Sequence, residues 1–472
     1  MAQVFAARCQ DLFGRAPWLD ETITSLIVND KSFSHMVSAI STGVDTNPPT
    51  FYLILWPIAR MFGPLSDTAL RAIALASMLA AVTGVYGICR LFFGRLPSAV
   101  AALAVWAHPL IVEHAFQARC YAPWLAVTVW FCYLQIQARD DEPAARRIAR
   151  YILAIFATTM HYFGFIAMVL IGAADFLVHR RVRRIVPVAV GIAALVACVP
   201  LVIKQRAGLS VGSWIDPFSA AQFKDDLVAL FGSPSLIVVL LLIWIGHLTQ
   251  SAPGADGNKA HNARDYRELI PLSSLFLLPF VIAAFSLLIQ PALVLRYMIL
   301  SIAPLAPPVA LLAQRSSKRI VMTALVVLAM MGIVTVVGVS HTTRGLDAEF
   351  RAAAAEIDRR VPSDGLIIFK RRREMYPVLH LRPDLAARSA QLDFDDSVLP
   401  VVTGMSRYER DMGRKVQRIY PSLRMADRQQ LIAAGTFYVI APVNEFKELQ
   451  RQLPGFRVDN PDSVLHTVTV QR

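Results

Sequence analysis

Long apolar runs decide the class of this chain before any motif does. Residues 69–89, 185–203, 269–289 and 320–339 are nearly unbroken apolar sequence, and each approaches the roughly 20 residues a helix needs to cross a bilayer. Backbone in lipid must satisfy its own hydrogen bonds, so such runs fold as helices. Charged residues make up 17% of the 472-residue chain, where a soluble protein carries about 25%. The sequence therefore predicts a polytopic α-helical membrane protein.

The net charge of +13 is read by location, because cytoplasmic loops concentrate Lys and Arg. Basic clusters stand at Arg90/Arg95, Arg139 with Arg146/Arg147/Arg150, Arg180/Arg181/Arg183/Arg184, Lys259/Arg264/Arg267 and Arg315/Lys318/Arg319. With every cluster on the cytoplasmic side, two spans fit between consecutive clusters. That arrangement predicts about ten spans, near 68–89, 97–114, 119–138, 148–161, 162–179, 185–203, 234–250, 269–289, 295–313 and 320–339. Topology accounts for the clusters. They lack the interleaved aromatics of a nucleic-acid surface, and no nucleic-acid partner is expected.

The same arrangement divides the chain into three parts. Residues 1–67 form an extracytoplasmic loop with interfacial helices, 68–341 the membrane domain, and 342–472 a small extracytoplasmic α/β domain. In the first part, 48–63 reads as an interfacial helix: the Pro pair suits a helix start, and Tyr52 and Trp56 suit the headgroup level. Residues 1–17 hold no signal-type apolar run and are too short and too charged to span, so either this tail is translocated unaided or, the favoured expectation, a first span is encoded upstream of this chain. In the tail, periodicity predicts a helix over 347–360, strands at 365–369, 436–441 and 464–470, and a helix over 425–434. No Gly-rich turn follows the strand at 436–441, so nucleotide binding lacks support there. All five cysteines (Cys9, Cys89, Cys120, Cys132, Cys198) precede the tail, which therefore relies on no disulfide.

Polar residues gather at one predicted membrane boundary. Asp20, Glu21, Asp45 and Asn47 lie in the first loop, Arg119 and Tyr121 at one helix–helix turn, and His161 and Tyr162 at a tight hairpin turn. Lys204 and Arg206 follow one span, and Arg296 and Tyr297 open another. Ionisable groups at membrane depth mark functional sites by default. A carboxylate beside a water-accessible cavity can take a proton from a hydroxyl. Guanidinium groups hold phosphate by charge-assisted bonds and stabilise charge developing on a phosphate leaving group. A sugar linked to a lipid phosphate needs this mixture. Its leaving group is a weak base, one carboxylate suffices, and attack from the opposite face inverts the anomeric centre, by the logic that separates inverting glycosidases.

The residues also carry a resemblance. Trp18-Leu-Asp-Glu21, then Asp45-Thr-Asn-Pro-Pro-Thr-Phe-Tyr52, Leu70-Arg71, Gln117-Ala-Arg-Cys-Tyr121, His161-Tyr-Phe-Gly164 and Arg296-Tyr297 occur in this order. Over about residues 1–315 the chain resembles the GT-C glycosyltransferases, in the bacterial branch similar to protein O-mannosyltransferases and the lipid A aminoarabinose transferase. The resemblance implies a polyprenyl-phosphate sugar donor, an acceptor hydroxyl on a lipid, glycan or protein, and transfer at the outer face of the inner membrane. It matches Asp20 to the catalytic aspartate, with Glu21 beside it. Asp45/Asn47 and Arg119/Tyr121 match the donor side. Asn47 stands where His is usual and Gln117 where Glu is usual, which weakens metal ligation there; some members use a metal ion, and the cofactor stays open. A transporter or flippase of lipid-linked saccharides is the alternative, for which broken helices and an internal repeat are expected; no repeat is visible.

Overall fold

The computed structural model describes residues 2–207, 215–233, 237, 265–392, 404–440, 456–459 and 465–470. Four short helices come first: α1 (Ala2–Gly14), α2 (Leu19–Val28), α3 (Phe33–Thr42) and α4 (Thr50–Phe62). Local chemistry sets their ends. The Ser32 hydroxyl accepts from the His35 amide at 3.3 Å and starts α3, satisfying a donor the helix leaves open. Pro48 and Pro49 precede α4, where a missing N–H costs nothing.

The membrane domain follows. Its helices are α5 (Asp67–Arg90), α6 (Arg95–Trp106), α7 (Pro109–Ala115), α8 (Tyr121–Ile136), α9 (Ala144–Thr159), α10 (Gly164–His179), α11 (Val182–Val196), α12 (Val199–Arg206) and α13 (Ala220–Phe231). Then come α14 (Tyr266–Leu288) and α15 (Leu295–Gln314), both partly 3-10 in character, and the 43-residue α16 (Lys318–Arg360). Among the described residues five helical stretches (α5, α11 with α12, α14, α15 and α16) are long and apolar enough to cross a bilayer. A sixth is counted if α6 and α7, bent by 70°, form one broken span. These match six of the predicted spans. Three others are met by shorter helices: α8, α9 and α10 have 16 residues each, about 24 Å of rise. The span predicted at 234–250 lies outside the described residues. Small residues bring helices together: a Cβ at Gly191 of α11 would sit 2.6 Å from the Ala154 carbonyl of α9.

Among the described residues the tail forms a six-stranded sheet with helices. Strands β1 (Leu366–Phe369), β2 (Ser389–Leu392), β3 (Arg424–Ala426), β4 (Thr436–Ile440), β5 (Phe456–Asp459) and β6 (Leu465–Val470) lie in the order β3-β2-β1-β4-β6-β5. The first four are parallel, and β6 pairs antiparallel with both β4 and β5. Helices α17 (Arg372–Leu381), α18 (Gly404–Ile419) and α19 (Arg428–Ala434) flank it. Two expectations shift. The helix expected over 425–434 starts at Arg428, because Met425 belongs to β3 and Asp427 caps α19 by accepting from the Gln430 amide at 2.8 Å. The helix expected over 347–360 is the far end of α16, so the boundary placed at 341 falls inside one continuous helix.

Candidate active site

Three neighbouring clusters make the site. The innermost is built on Glu21, in the first turn of α2, where a carboxylate also suits the helix dipole. It is 1% exposed. Arg71 of α5 reaches it through Nε at 3.2 Å and Nη2 at 3.0 Å, Arg15 through Nη2 at 3.0 Å, and the Ala118 amide at 2.8 Å. Burial alone would raise this carboxyl, but the two guanidinium groups and the amide hold it below the usual carboxylate range. Arg71, wholly buried, also donates to the carbonyls of Phe13 and Arg15, each at 2.8 Å. Glu21 thus has no oxygen free to take a substrate proton. The sequence pairs it with Asp20 as a catalytic acid; here it is the knot joining α1, α2, α5 and the 116–120 turn.

The second cluster is the loop after α3. Gly43 ends that helix at φ 78°, a left-handed conformation glycine adopts without strain. A side chain there would also meet the Gln205 carbonyl at 2.7 Å. Asp45 then closes a turn, its Oδ1 accepting from the backbone N and Nδ2 of Asn47 at 3.1 and 2.7 Å. Its other oxygen accepts from the Tyr52 hydroxyl and from Arg119 Nη1. Burial pushes the Asp45 carboxyl up, but Arg119, Tyr52 and Asn47 together bring it below its ordinary range. The same Arg119 nitrogen reaches Thr24 Oγ1 at 3.0 Å and the Asp20 carbonyl at 3.1 Å. Arg119 is therefore engaged by Asp45 and by the backbone beneath Asp20.

The third cluster faces outward from these two. The Asp20 carboxylate is 23% exposed, and its Oδ2 lies 3.6 Å from Nη2 of Arg296. The Arg296 guanidinium sits 5.6, 5.9 and 5.8 Å from the rings of Trp18, Tyr121 and Tyr297, close enough for cation–π attraction. His161 packs beside them, its ring 4.8 Å from Tyr297 and 4.7 Å from Trp124. An acid and a guanidinium thus meet over an aromatic floor.

Of the predicted residues, Asp20, Asp45, Asn47, Arg119, Tyr121, His161, Arg296 and Tyr297 come together here. Tyr162 stands one step back, donating to Gln205 Oε1 at 2.7 Å. Lys204 and Arg206 do not join them: both are exposed on α12, and Arg206 instead donates to Gln290. On a helix successive residues turn by about 100°, so the residue between them, Gln205, is the one that faces the loop. Its Nε2 donates to the carbonyls of Ile40 and Asn47, each at 3.1 Å. Tyr52, expected at the headgroup level, is instead buried and donates to Asp45; Arg15 was assigned no role, and Arg71 only a place in the run of motifs. An arginine just inside the start of an apolar span was the available signal for Arg71.

These residues do not fit a divalent cation. Such an ion takes several oxygen ligands, whereas the Asp45 carboxylate is already bound by Arg119, Tyr52 and Asn47. Among the described residues no group of three or more His, Cys, Asp or Glu side chains is placed to hold a metal ion.

Comparison with known proteins agrees with this architecture. Residues 46–203 match the family described as dolichyl-phosphate-mannose-protein mannosyltransferase. The whole chain superposes on ArnT from Cupriavidus metallidurans. In its apo state 100% of this chain and 98% of that chain are covered, with a TM-score of 0.63 and 14% identity. The structure of the same protein bound to undecaprenyl phosphate gives the same coverage and identity with a TM-score of 0.61. No curated protein sequence matches the chain significantly. The family match runs through the loop and first spans and the ArnT fold from end to end, and in both, this multi-pass membrane protein is similar to the GT-C glycosyltransferases.

Proposed function

We propose that the protein moves a sugar from a polyprenyl-phosphate donor to an acceptor hydroxyl at the outer face of the inner membrane, with inversion. Asp20 is the general base. It accepts the hydroxyl proton, the freed oxygen attacks the anomeric carbon, and the bond from that carbon to the phosphate oxygen breaks. The electron pair leaves on the lipid phosphate. Arg296 receives that charge, since a guanidinium matches phosphate geometry and a preorganised cation stabilises a developing anion. Tyr121, His161 and Tyr297 supply the apolar wall against which a sugar face packs, with Tyr162 behind them.

Arg119 is better placed as a positioning residue than as a phosphate ligand, because its Nη1 is held by Asp45, Thr24 and the Asp20 carbonyl. Glu21, Asp45 and Asn47 then serve by fixing α2 and the 43–49 loop.

The observation that carries the reading is the partly exposed Asp20 carboxylate beside Arg296, on a helix whose backbone is tied down by Arg119. Asp20→Asn is expected to lower sugar transfer by about a hundredfold or more, while the full-length protein still binds polyprenyl phosphate. Transfer at parental rates in that variant would remove Asp20 from the chemistry.

A further inference from the structure

One side chain of the terminal domain reaches the strut beneath the loop at the site. Lys415 of α18 is 8% exposed, and its Nζ donates to the Gln205 carbonyl at 3.1 Å. Gln205 is the residue whose side-chain amide holds the carbonyls of Ile40 and Asn47, and whose backbone lies against Gly43. From Asp45 the contacts continue to Arg119 and from there to the Asp20 backbone. The end of α18 is seated beside this strut, with His35 Nε2 of α3 3.0 Å from the Ile419 carbonyl.

We propose that Lys415 is a positioning residue for the transfer site. Anchored on the Gln205 carbonyl, it fixes the last turn of α12 so that the Gln205 amide holds the 40–47 backbone in register with Arg119. The tail thereby sets the geometry of the loop beneath Asp20. The inference rests on the transferase reading only for its effect on activity. A plainer role exists: a lysine near the C-terminal end of a helix also answers an open carbonyl and the helix dipole. Capping alone stabilises α12 and leaves the loop's order and donor affinity unchanged.

The two roles separate in the full-length protein in lipid nanodiscs, comparing Lys415→Met, Lys415→Gln and Lys415→Arg. Amide hydrogen exchange is followed over residues 40–50, and KM and kcat are measured with a polyprenyl-phosphate sugar. Exchange over 40–50 in Lys415→Met should rise about tenfold, and kcat/KM should fall about tenfold, through KM for the donor. The arginine variant should recover most of both, and the glutamine variant should fall between. Unchanged exchange over 40–50 in Lys415→Met overturns the proposal. So does an equal rise across the whole terminal sheet, which would mark a packing residue. A parent protein that neither binds polyprenyl phosphate nor transfers sugar would sink the transferase reading, while the exchange result still judges the strut.

Discussion

At the scale of single residues, the proposed site separates one partly exposed acid, Asp20, from two buried ones. Glu21 and Asp45 are buried and surrounded by donors, and both titrate below the ordinary carboxylate range. A carboxyl depressed in the folded state contributes stability that is complete above its unfolded value, about pH 4, and is lost as the pH falls through its folded one. The detergent-solubilised protein should therefore keep its melting temperature down to about pH 5 and lose it below about pH 4. Glu21→Gln, which leaves Arg71 buried without its anion, should cost about 3–5 kcal/mol at neutral pH and shrink the acid limb. A variant that melts like the parent at neutral pH would refute this account. Sequence alone located the polar loop but did not rank its acids. Asp20 and Glu21 are adjacent, and only the fold shows that one faces Arg71 and the other Arg296.

At the scale of elements, helix contacts rather than composition decide how the bundle closes. Where α9 meets α11, Gly191 lets the Ala154 carbonyl approach and the Thr158 hydroxyl donate to the Gly191 carbonyl at 2.8 Å. Close backbone approach at small residues is a main source of helix association in lipid. Gly191→Val should push the helices apart and cost about 1–3 kcal/mol, read as earlier heat-induced aggregation with little change in insertion. Unaltered aggregation would show that the seam tolerates bulk. Apolar length and basic flanks made the long helices legible in the sequence. They left the ends of the 16-residue helices α8, α9 and α10 hidden. The 70° break between α6 and α7 was hidden as well. The His108–Pro109 step marks it, but a proline within apolar sequence does not by itself give an angle.

At the scale of the whole molecule, Arg90, Arg139, Arg184 and Arg315 stand at the helix ends opposite those that carry the proposed transfer site, the pattern expected if the basic ends are cytoplasmic. The proposed orientation is checked by single cysteines at Lys31 and Asp140, both exposed, with Cys9 and Cys198 replaced by serine. A membrane-impermeant maleimide added to spheroplasts should label Lys31→Cys at once and Asp140→Cys only after permeabilisation. The reverse order would invert the orientation. Of the tail's described strands β1, β4 and β6 were legible from their apolar pattern, whereas the short, mixed-polarity β2, β3 and β5 were not. Nor was the tail's attachment, since an apolar span and an amphipathic helix look separate in sequence and here are one. Helix α16 runs 43 residues with no proline, about 65 Å of rise. His380 of α17, paired with Asp67 at 3.0 Å, ties the far end back to the start of α5. A domain mounted on such a shaft is a handle: a load applied to the sheet tilts the last membrane helix with it, and force leaves the soluble part as leverage on the bilayer.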